Sequence, residues 1–501
     1  MEVAVDAAGT AARVQPSVGP GLFCCAVLRA LLPNKVARTG QAAYDSSLRS
    51  YWSLQETVVV PQCIVSPRNA ADVATSTFAL DYLSDLLSLA GHKGCEFAIR
   101  AGGHTPWAGS ANIAGGVTID LSAIKDVAVR PDRTVTSVGP GARWIDVYRE
   151  LDALSLAIPG GRVPDVGVGG LMNGGGLSYF SPRLGFVCDN VVNYEVVLAN
   201  GRVVNANATS NPDLWFALKG GSNNFGIVTR FDIKTFTQGK LWGGYIVNPI
   251  ETRDAQVAAF SELNSASSYD EYAALINSYS YSPSSGGWVV ANNIIYTKPT
   301  PFPETFKPFT DIQPQLAQTL RISNLSDFVT ELKGPDTPKA RQLFVTRSYK
   351  NSAVLLAQIF DITNATLQTL DSTKLATFAI TFQAIPTSIT AKAAASGGNA
   401  LGIDPAVGPL VLVLLVISWA DPADDETVAA AGRNLFAQAD DAANAAGLLD
   451  PWVYLNYAAQ WQEPIKGYGA VNTAKLQAAS KKYDPKGVFQ KRVPGGFKLF
   501  T

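Results

Sequence analysis

Clusters of glycine between short apolar runs constrain this chain more than any other feature of its sequence. Between residues 96 and 235, strand-like runs alternate with loops that hold Gly102-Gly103, three glycines at 167–170, three at 174–176, and Gly220-Gly221. Glycine has no side chain, so backbone N–H groups in such loops can closely approach a ligand. Surface turns alone rarely need this density of glycine. The pattern predicts an α+β region whose loops converge on a large planar or phosphorylated ligand.

The first cluster does not match a Rossmann dinucleotide site. The predicted strand at residues 96–100 ends in Arg100-Ala101-Gly102-Gly103-His104, and Pro106 prevents a helix from starting directly after it. The Rossmann fingerprint needs a helix at that place, because the pyrophosphate sits on the helix N-terminus. We therefore expect a different architecture around these glycines.

The charge balance and the rarity of histidine exclude several function classes. The chain has 40 Lys+Arg and 41 Asp+Glu, a formal charge of −1, which argues against nucleic acid as a partner and against a polybasic membrane anchor. His92 and His104 are the only histidines, and no CxxC occurs, so we predict no metal site. No apolar run has the length of a membrane span.

The cysteines and the N-terminus bear on the compartment. Cys24 or Cys25 could pair with Cys63 in an oxidising compartment, and the count of five leaves at least one free thiol. Buried, reduced cysteines are the alternative. The first residues contain no apolar segment typical of a signal peptide. We expect either a cytoplasmic protein or the processed form of one from the secretory pathway.

The composition changes near residue 240 and suggests a second unit. Strands are predicted at 287–296, 375–382 and 410–419, and an amphipathic helix at 425–446, which together are typical of a sheet covered by helices. A Tyr-rich strand is predicted at 452–457. The boundaries we predict are 1–39 for an extension with a short helix, 40–240, 241–450, and a final segment at 451–501.

Several motifs, taken together, resemble those of one enzyme family. They are Arg100-Ala-Gly-Gly-His104, Gly115-Gly-Val-Thr-Ile-Asp120, Val166-Gly-Val-Gly-Gly170, Asn173-Gly-Gly-Gly176, Asn224-Phe-Gly-Ile-Val-Thr229, Tyr454-Leu-Asn-Tyr457 and Lys482-Tyr-Asp-Pro485. Their order and spacing over residues 55–490 resemble the berberine-bridge-enzyme-like oxidases of the vanillyl-alcohol-oxidase/PCMH flavoprotein superfamily. The most similar members are the fungal FAD-linked oxidases of secondary-metabolite pathways.

The resemblance implies an α+β fold in which a PCMH-type FAD-binding domain (40–240) is joined by a substrate-binding domain (241–450) with an antiparallel sheet covered by helices. The segment 451–501 would return to the FAD domain. The family histidine that bonds covalently to the flavin 8α-methyl group is His104 here. Many relatives add a cysteine bond at the position of Val163, which has no nucleophile, so we expect FAD held through His104 alone. The implied cofactor-binding residues are Arg100, Ala101, Gly102, Gly103, His104, Thr105, Gly109, Gly139, Gly141, Val163, Gly167, Gly169, Gly170, Gly174, Gly175, Gly226, Ile227, Val228 and Asn456.

The same resemblance suggests catalytic residues. In the family the Tyr-x-Asn-Tyr segment lies under the flavin, so we predict Tyr454 as the base or substrate orienter, together with Asn456. On a regular strand these two share one face and Tyr457 points to the other. Val166 would line the small space through which O2 reaches the flavin. Weaker candidates for the pocket are Trp107, Tyr179, Gln383 and Leu414, the last of which stands where many relatives have Gln.

The predicted activity is that of an oxidase. A hydride would pass from an apolar, polyketide-like natural product to FAD and then to O2, giving H2O2, and oxidation could also trigger cyclisation. The expected partners are a small-molecule substrate and O2. Two alternatives remain open: a carbohydrate or oligosaccharide oxidase on the same fold, and a non-redox cyclase that keeps FAD structurally.

Overall fold

A computed structural model describes residues 20–265, 267–283, 287–333 and 339–500. The chain is a mixed α+β protein, as predicted. The helices of at least seven residues in these ranges are Pro20–Leu31, Ala42–Arg49, Ala70–Leu89, Trp144–Asp152, Pro212–Leu218, Arg253–Ser265, Leu325–Lys333, Ala353–Leu367, Asp425–Ala445 and Gly469–Tyr483. Shorter helices are Leu54–Thr57, Val168–Asn173, Ser181–Leu184, Lys307–Thr310, Thr387–Thr390, Lys392–Ala395 and Val488–Lys491.

A small sheet near the N-terminus carries the first glycine motif. In the described part of the chain its strands are ordered Val36–Ala37, Cys63–Val65, Val117–Asp120, Phe97–Arg100, and the last three run parallel. The predicted N-terminal helix is Pro20–Leu31, and two disulfides, Cys24–Cys95 and Cys25–Cys63, tie it to this layer. One of the predicted alternatives, Cys25 with Cys63, is therefore present, whereas the Cys24–Cys95 bridge was not predicted. Cys188 is the free, buried cysteine of the described residues.

A second, antiparallel sheet lies on the other side of the glycine loops. Its strands in the described ranges are ordered Val127–Val129, Val135–Val138, Ile227–Lys234, Val191–Val197 and Val203–Asn207. A short ladder joins Leu156–Ala157 to Phe236–Thr237. The loop Gly139–Gly141 and the helix Val168–Asn173 connect elements at one end of this sheet, so the glycine clusters gather there.

A long antiparallel sheet occupies residues 241–450. The described strands are ordered Ala317–Gln318, Leu241–Pro249, Gly287–Tyr296, Ala273–Ser282, Leu375–Ile385, Leu410–Trp419, Arg341–Lys350 and Leu449–Asp450, with Arg321–Ser323 paired beside Leu241–Pro249. The helices Arg253–Ser265, Ala353–Leu367 and Asp425–Ala445 pack on one face, where Phe260, Ile359 and Leu435 are fully buried against the strands. This is the helix-covered sheet that the sequence predicts.

Side chains alternate along these strands, so the face of the sheet opposite the helices also carries side chains. Ile380 and Phe382 point into the helix-covered core, whereas Thr381 and Gln383 of the same strand point the other way and line a cavity. Ser278 lies opposite Thr381, and their hydroxyls are 2.9 Å apart. The sheet therefore presents every second residue to the ligand space.

The C-terminal segment packs back on the first half of the chain. The Lys486 ammonium contacts Asp81 at 2.9 Å and Asp85 at 2.7 Å, and Asn224 Nδ2 donates to the Phe497 carbonyl at 2.9 Å. The segment at 452–457 is not the predicted strand. It runs extended to Tyr454 and then forms a 3₁₀ turn at Leu455–Tyr457. No helix in the described ranges is both long and apolar enough to cross a membrane.

Candidate active site

A cavity of about 480 Å³ lies between the glycine loops and the long sheet. This volume is within the range of small-molecule sites, and apolar side chains form most of the wall. The loop side is formed by residues 101–107, 162–171 and 222–228, and the sheet side by Ile276, Ser278, Phe344, Thr381, Gln383, Leu414 and Val416. Tyr454, Leu455, Asn456 and Tyr457 close one end. Residues from distant parts of the sequence therefore converge on one space, as the glycine pattern predicted.

Two glycine loops are packed backbone against backbone beside the cavity. A Cβ atom built at Gly102 would lie 2.5 Å from Gly167 Cα, which is too close for any side chain. Only glycine therefore fits at this position. Gly170 differs, because a Cβ built there meets nothing within 4 Å and the residue is exposed to the cavity. The backbone at Gly170 is thus open to a ligand and forms a cradle that a side chain would fill.

Two buried side-chain oxygens in the wall lack a partner. Asn173 Oδ1 and Asn223 Oδ1 accept no hydrogen bond from any described residue, although Asn223 Nδ2 donates to the Gly495 carbonyl. A buried acceptor left unpaired is costly, so both atoms suit a ligand that brings hydroxyl or N–H donors. A cavity with an open glycine backbone, apolar walls and two free acceptors fits the flavin and polyol parts of FAD.

His104 faces this cavity in a fixed orientation. Its imidazole stacks on the Trp52 indole with ring centroids 4.2 Å apart and an 11° angle between the planes. Burial, and after it the nearby positive charge of Arg143, lower the pKa of His104 from 6.5 to about 4. The ring is consequently neutral at physiological pH, and one of its nitrogens is available as a nucleophile.

The Tyr-x-Asn-Tyr segment has a different geometry from a strand. Asn456 Nδ2 donates to Tyr454 Oη and to the Leu171 carbonyl, both at 3.0 Å, and the rings of Tyr454 and Tyr457 meet edge to face at 4.8 Å. The expectation that the two tyrosines point in opposite directions is therefore wrong, because the 3₁₀ turn brings both to the cavity. Burial raises the pKa of Tyr454 well above its usual range.

Tyr457 accepts a direct hydrogen bond from a cation. Arg162 Nη2 donates to Tyr457 Oη at 2.9 Å and to Gln383 Oε1 at 2.5 Å. Through this contact the charge of the guanidinium lies next to the Tyr457 hydroxyl. The geometry thus makes Tyr457 the better placed of the two phenols to take a proton.

Most of the predicted site residues line the cavity. Among them are Ala101, Gly102, Gly103, His104, Thr105, Val163, Val166, Gly167, Gly169, Gly170, Gly226, Ile227, Val228, Tyr454 and Asn456. Of the weaker candidates, Trp107, Gln383 and Leu414 also line it. Tyr179 lies outside, where its hydroxyl donates to Asn293 Oδ1.

Six residues assigned to the cofactor are absent from the wall that the described residues form, and each has another structural task. Arg100 is buried, and its Nη1 donates to Ser47 and contacts Asp120. Gly109 donates its N–H to the carboxylate of Glu56. Gly139, Gly141, Gly174 and Gly175 are the others, and a Cβ built at any of them would crowd neighbouring atoms. Gly174, for example, leaves room for Asn456 Oδ1.

Some wall residues were not predicted from the sequence. Arg162 lies inside the glycine cluster, directly before Val163. A cation among residues predicted to surround the ligand could have identified it as a site residue. Phe344 and Phe497 come from parts of the chain with no motif, and only the folded structure brings them to the cavity.

Comparisons with known proteins agree with this site. A family model described as an FAD binding domain matches residues 61–207. The FAD-dependent monooxygenase CTB5 of Cercospora beticola is 38% identical over 498 residues, covering 96% of this chain and 93% of the relative. The FAD-dependent monooxygenase drtC of Aspergillus calidoustus is 36% identical, covering 95% and 90%.

Solved structures show the same fold at low sequence identity. The BBE-like 1 protein of Physcomitrella patens matches with a TM-score of 0.75 at 20% identity, covering 95% of this chain and 99% of that chain. The xylooligosaccharide oxidase of Myceliophthora thermophila matches with a TM-score of 0.75 at 18% identity and the same coverage. These structures show the shared fold, and the sequence relatives show the family: the chain belongs to the FAD-dependent oxidoreductases that include CTB5 and drtC.

Proposed function

We propose that this FAD-dependent oxidoreductase is an oxidase that removes a hydride from an apolar natural product, holds FAD through a single covalent bond at His104, and passes the electrons to O2 as H2O2. The observation that carries the proposal is the placement of two groups in one apolar cavity: neutral His104 on the loop side, and Tyr457 with its bonded Arg162 on the sheet side. When bound, FAD supplies the hydride acceptor and the route of the electrons to O2.

The residues that would hold FAD are those of the glycine cradle. Gly102, Gly167 and Gly170 offer backbone at close range, and Asn173 and Asn223 offer unpaired oxygens. The neutral imidazole of His104, held by stacking on Trp52, is suited to form the covalent bond.

A second covalent bond lacks a candidate among the described wall residues. Val163 carries no thiol, and Cys188 is buried outside the cavity wall. The pattern supports attachment through one residue.

Tyr457 is proposed as the base that takes the substrate proton. To take a proton Tyr457 must be present as a phenolate, and the guanidinium of Arg162, at hydrogen-bond distance from Tyr457 Oη, would balance that charge, whereas burial opposes ionisation of Tyr454. Tyr454 is then a positioning group, because Asn456 fixes its hydroxyl beside the cavity. This changes the assignment of the base from the first tyrosine of the segment to the second.

The sheet side of the cavity supports an apolar substrate. Leu414, Val416 and Phe344 face the ligand, and the polar groups on this side are the hydroxyls of Ser278 and Thr381 and the amide of Gln383. An oligosaccharide would need many more hydrogen-bonding side chains. The carbohydrate oxidase is therefore the weaker alternative, although structural neighbours include a chitooligosaccharide oxidase and a xylooligosaccharide oxidase.

The names of the relatives favour a second candidate function, because several are FAD-dependent monooxygenases. A monooxygenase would insert one oxygen atom of O2 into the product, whereas an oxidase releases both as H2O2. A turnover in heavy-oxygen-labelled O2, with H2O2 measured against substrate consumed, separates the two. One H2O2 for each substrate and no label in the product supports the oxidase.

The covalent bond and the redox role are tested directly. The protein is denatured with acid and run on a denaturing gel, and the band should show flavin fluorescence that is lost in His104→Ala. Release of all flavin from the wild type would contradict the covalent proposal. Anaerobic mixing with metabolite extract fractions should reduce the flavin and bleach its colour. Conversion of a fraction with no reduction of the flavin would favour the non-redox cyclase.

The two disulfides support maturation in an oxidising compartment. Such bonds persist in secreted and luminal proteins and are rare in the cytosol, so we propose a route through the secretory pathway. Thiol titration of protein isolated from its native cells, under denaturing conditions with and without reductant, tests this. Five reactive thiols without reductant would contradict it.

A further inference from the structure

Arg162 links the glycine loops to the long sheet and faces the substrate side of the cavity. It follows the Pro159-Gly160-Gly161 turn, and its Nη2 reaches across to Gln383 on the strand Leu375–Ile385. The same nitrogen donates to Tyr457 Oη. Because both acceptors belong to the sheet side and to the closing segment, the guanidinium lies away from the loops that would cradle FAD.

Among the residues that the structure describes, no carboxylate balances the positive charge of Arg162. The described residues that line the cavity include no Asp, Glu or Lys. No described acidic residue forms an ion pair with Arg162. Its two acceptors, Gln383 and Tyr457, are not carboxylates, and both are bonded to Nη2. Within the described chain, Nε and Nη1 donate to no residue. A half-buried cation with free donors in an apolar cavity is a site for an anionic oxygen group.

The rest of the cavity that Arg162 lines is largely apolar and aromatic. Leu414, Val416 and Phe344 lie on the sheet side, and Trp107 and Phe497 pack edge to face at 5.8 Å on another wall. A strongly charged ligand such as a phosphate has no second cation here, because His104 is neutral. The space suits one negative charge on an otherwise apolar ring system.

We propose that Arg162 is a specificity-determining residue that binds a carboxylate or an ionised phenol of the substrate, so that the substrate is an acidic aromatic or polyketide-like molecule. This rests on the proposed function only in placing the substrate in this cavity. The acidic oxygen accepts a hydrogen bond from one of the two free donors, Nη1 or Nε, of the guanidinium whose Nη2 holds the Tyr457 hydroxyl. The proton to be removed then lies on a neighbouring part of the same molecule.

Binding of matched probes to the FAD-loaded protein tests the proposal. Calorimetry at about pH 7.5 compares 2-naphthoate with its neutral analogue 2-naphthamide, and pentafluorophenol, ionised at this pH, with pentafluoroanisole. A charge-assisted hydrogen bond predicts that at least one acid binds roughly 10- to 100-fold more tightly than its neutral partner. The two pairs distinguish a carboxylate from a phenolate as the preferred group.

Two variants show whether Arg162 is responsible. Arg162→Gln should remove the preference for the acid and leave the affinity for the neutral analogue within about twofold. Gln383→Glu keeps the guanidinium but pairs it with a carboxylate, so it should also abolish the preference. Bound flavin, measured by absorbance, should be unchanged in both variants.

Several results would overturn the inference: equal affinity for each acid and its analogue, no binding of any probe at millimolar concentration, or a preference that survives Arg162→Gln. Loss of flavin or a changed flavin spectrum in Arg162→Gln, without a charge preference in the wild type, would assign Arg162 to the cofactor. An active oxidase without charge preference refutes only this inference. A charge preference in a protein that oxidises nothing refutes only the proposed function.

Discussion

Replacement of Gly170 by alanine should stabilise the protein without cofactor and weaken FAD binding. Gly170 lies within the helix Val168–Asn173, is exposed to the cavity, and has nothing within 4 Å of a built Cβ. Alanine inside a helix is favoured over glycine by about 0.5–1 kcal/mol. In the complex the same methyl group enters the space of the ligand, and such overpacking costs about 1–3 kcal/mol. The Kd for FAD should therefore rise roughly 5- to 150-fold.

The assay uses a His104→Ala background so that FAD exchanges freely. Quenching of flavin fluorescence on binding gives the Kd, and thermal unfolding of the FAD-free protein gives Tm. We expect Gly170→Ala to raise Tm slightly while raising Kd. The opposite signs separate a ligand contact from general damage to the fold.

Two further glycines act as controls. Gly239 is exposed and has nothing near its built Cβ, so Gly239→Ala should change neither quantity. Gly102→Ala should lower Tm and weaken FAD binding, because its Cβ would lie 2.5 Å from Gly167 Cα and push the loops apart. An FAD Kd within twofold of the parent in Gly170→Ala would refute the cradle.

Further predictions concern the chemistry and the stability. Tyr457→Phe should slow anaerobic flavin reduction by roughly 10²–10⁴-fold in stopped flow with flavin content unchanged, and an unaltered rate would remove it as the base. Val166→Leu should slow reoxidation by O2 and spare substrate oxidation, and equal effects on both half-reactions would contradict a role in O2 access. Loss of the Cys25–Cys63 bridge by double substitution with serine should lower stability by about 2–4 kcal/mol in denaturant titration, and an unmoved midpoint would count against it. Burial raises the pKa of Glu56 from 4.5 to about 7, so the native state keeps a proton that the unfolded chain loses, and stability should fall as pH rises from about 4.5 to about 7. Glu56→Gln should flatten that dependence of Tm on pH, and an identical slope would refute it.

Local patterns predicted the parts of the molecule whose structure depends on neighbouring residues. The helix at Asp425–Ala445 follows from its amphipathic spacing, and the strand at Leu410–Trp419 from its continuous apolar run. The glycine clusters predicted the loops around the ligand, because backbone that closely approaches a ligand or another loop needs glycine. In each case the sequence pattern that carries the prediction lies within a short stretch of the chain.

Features that depend on distant residues were not predictable in the same way. Trp452–Tyr457 has the composition of a strand, but no neighbouring strand pairs with it in the described chain, and it turns at Leu455 to close the cavity. The partner of Cys24 could not be chosen, because Cys63 and Cys95 lie on neighbouring parts of one layer that only folding brings together. Likewise, the neighbours of Arg162 come from positions 383 and 457.

The return of the C-terminal segment has a consequence for biosynthesis. Gly496 and Phe497 complete a cavity whose other loop-side walls are made by residues 101–228, and the whole long sheet is translated in between. Nearly all of the described chain must therefore have been translated before the cofactor site is complete. FAD can then meet the complete site only once residue 497 has been made, and we expect a tag or truncation placed near residue 497 to disturb cofactor loading more than its distance along the chain from His104 suggests.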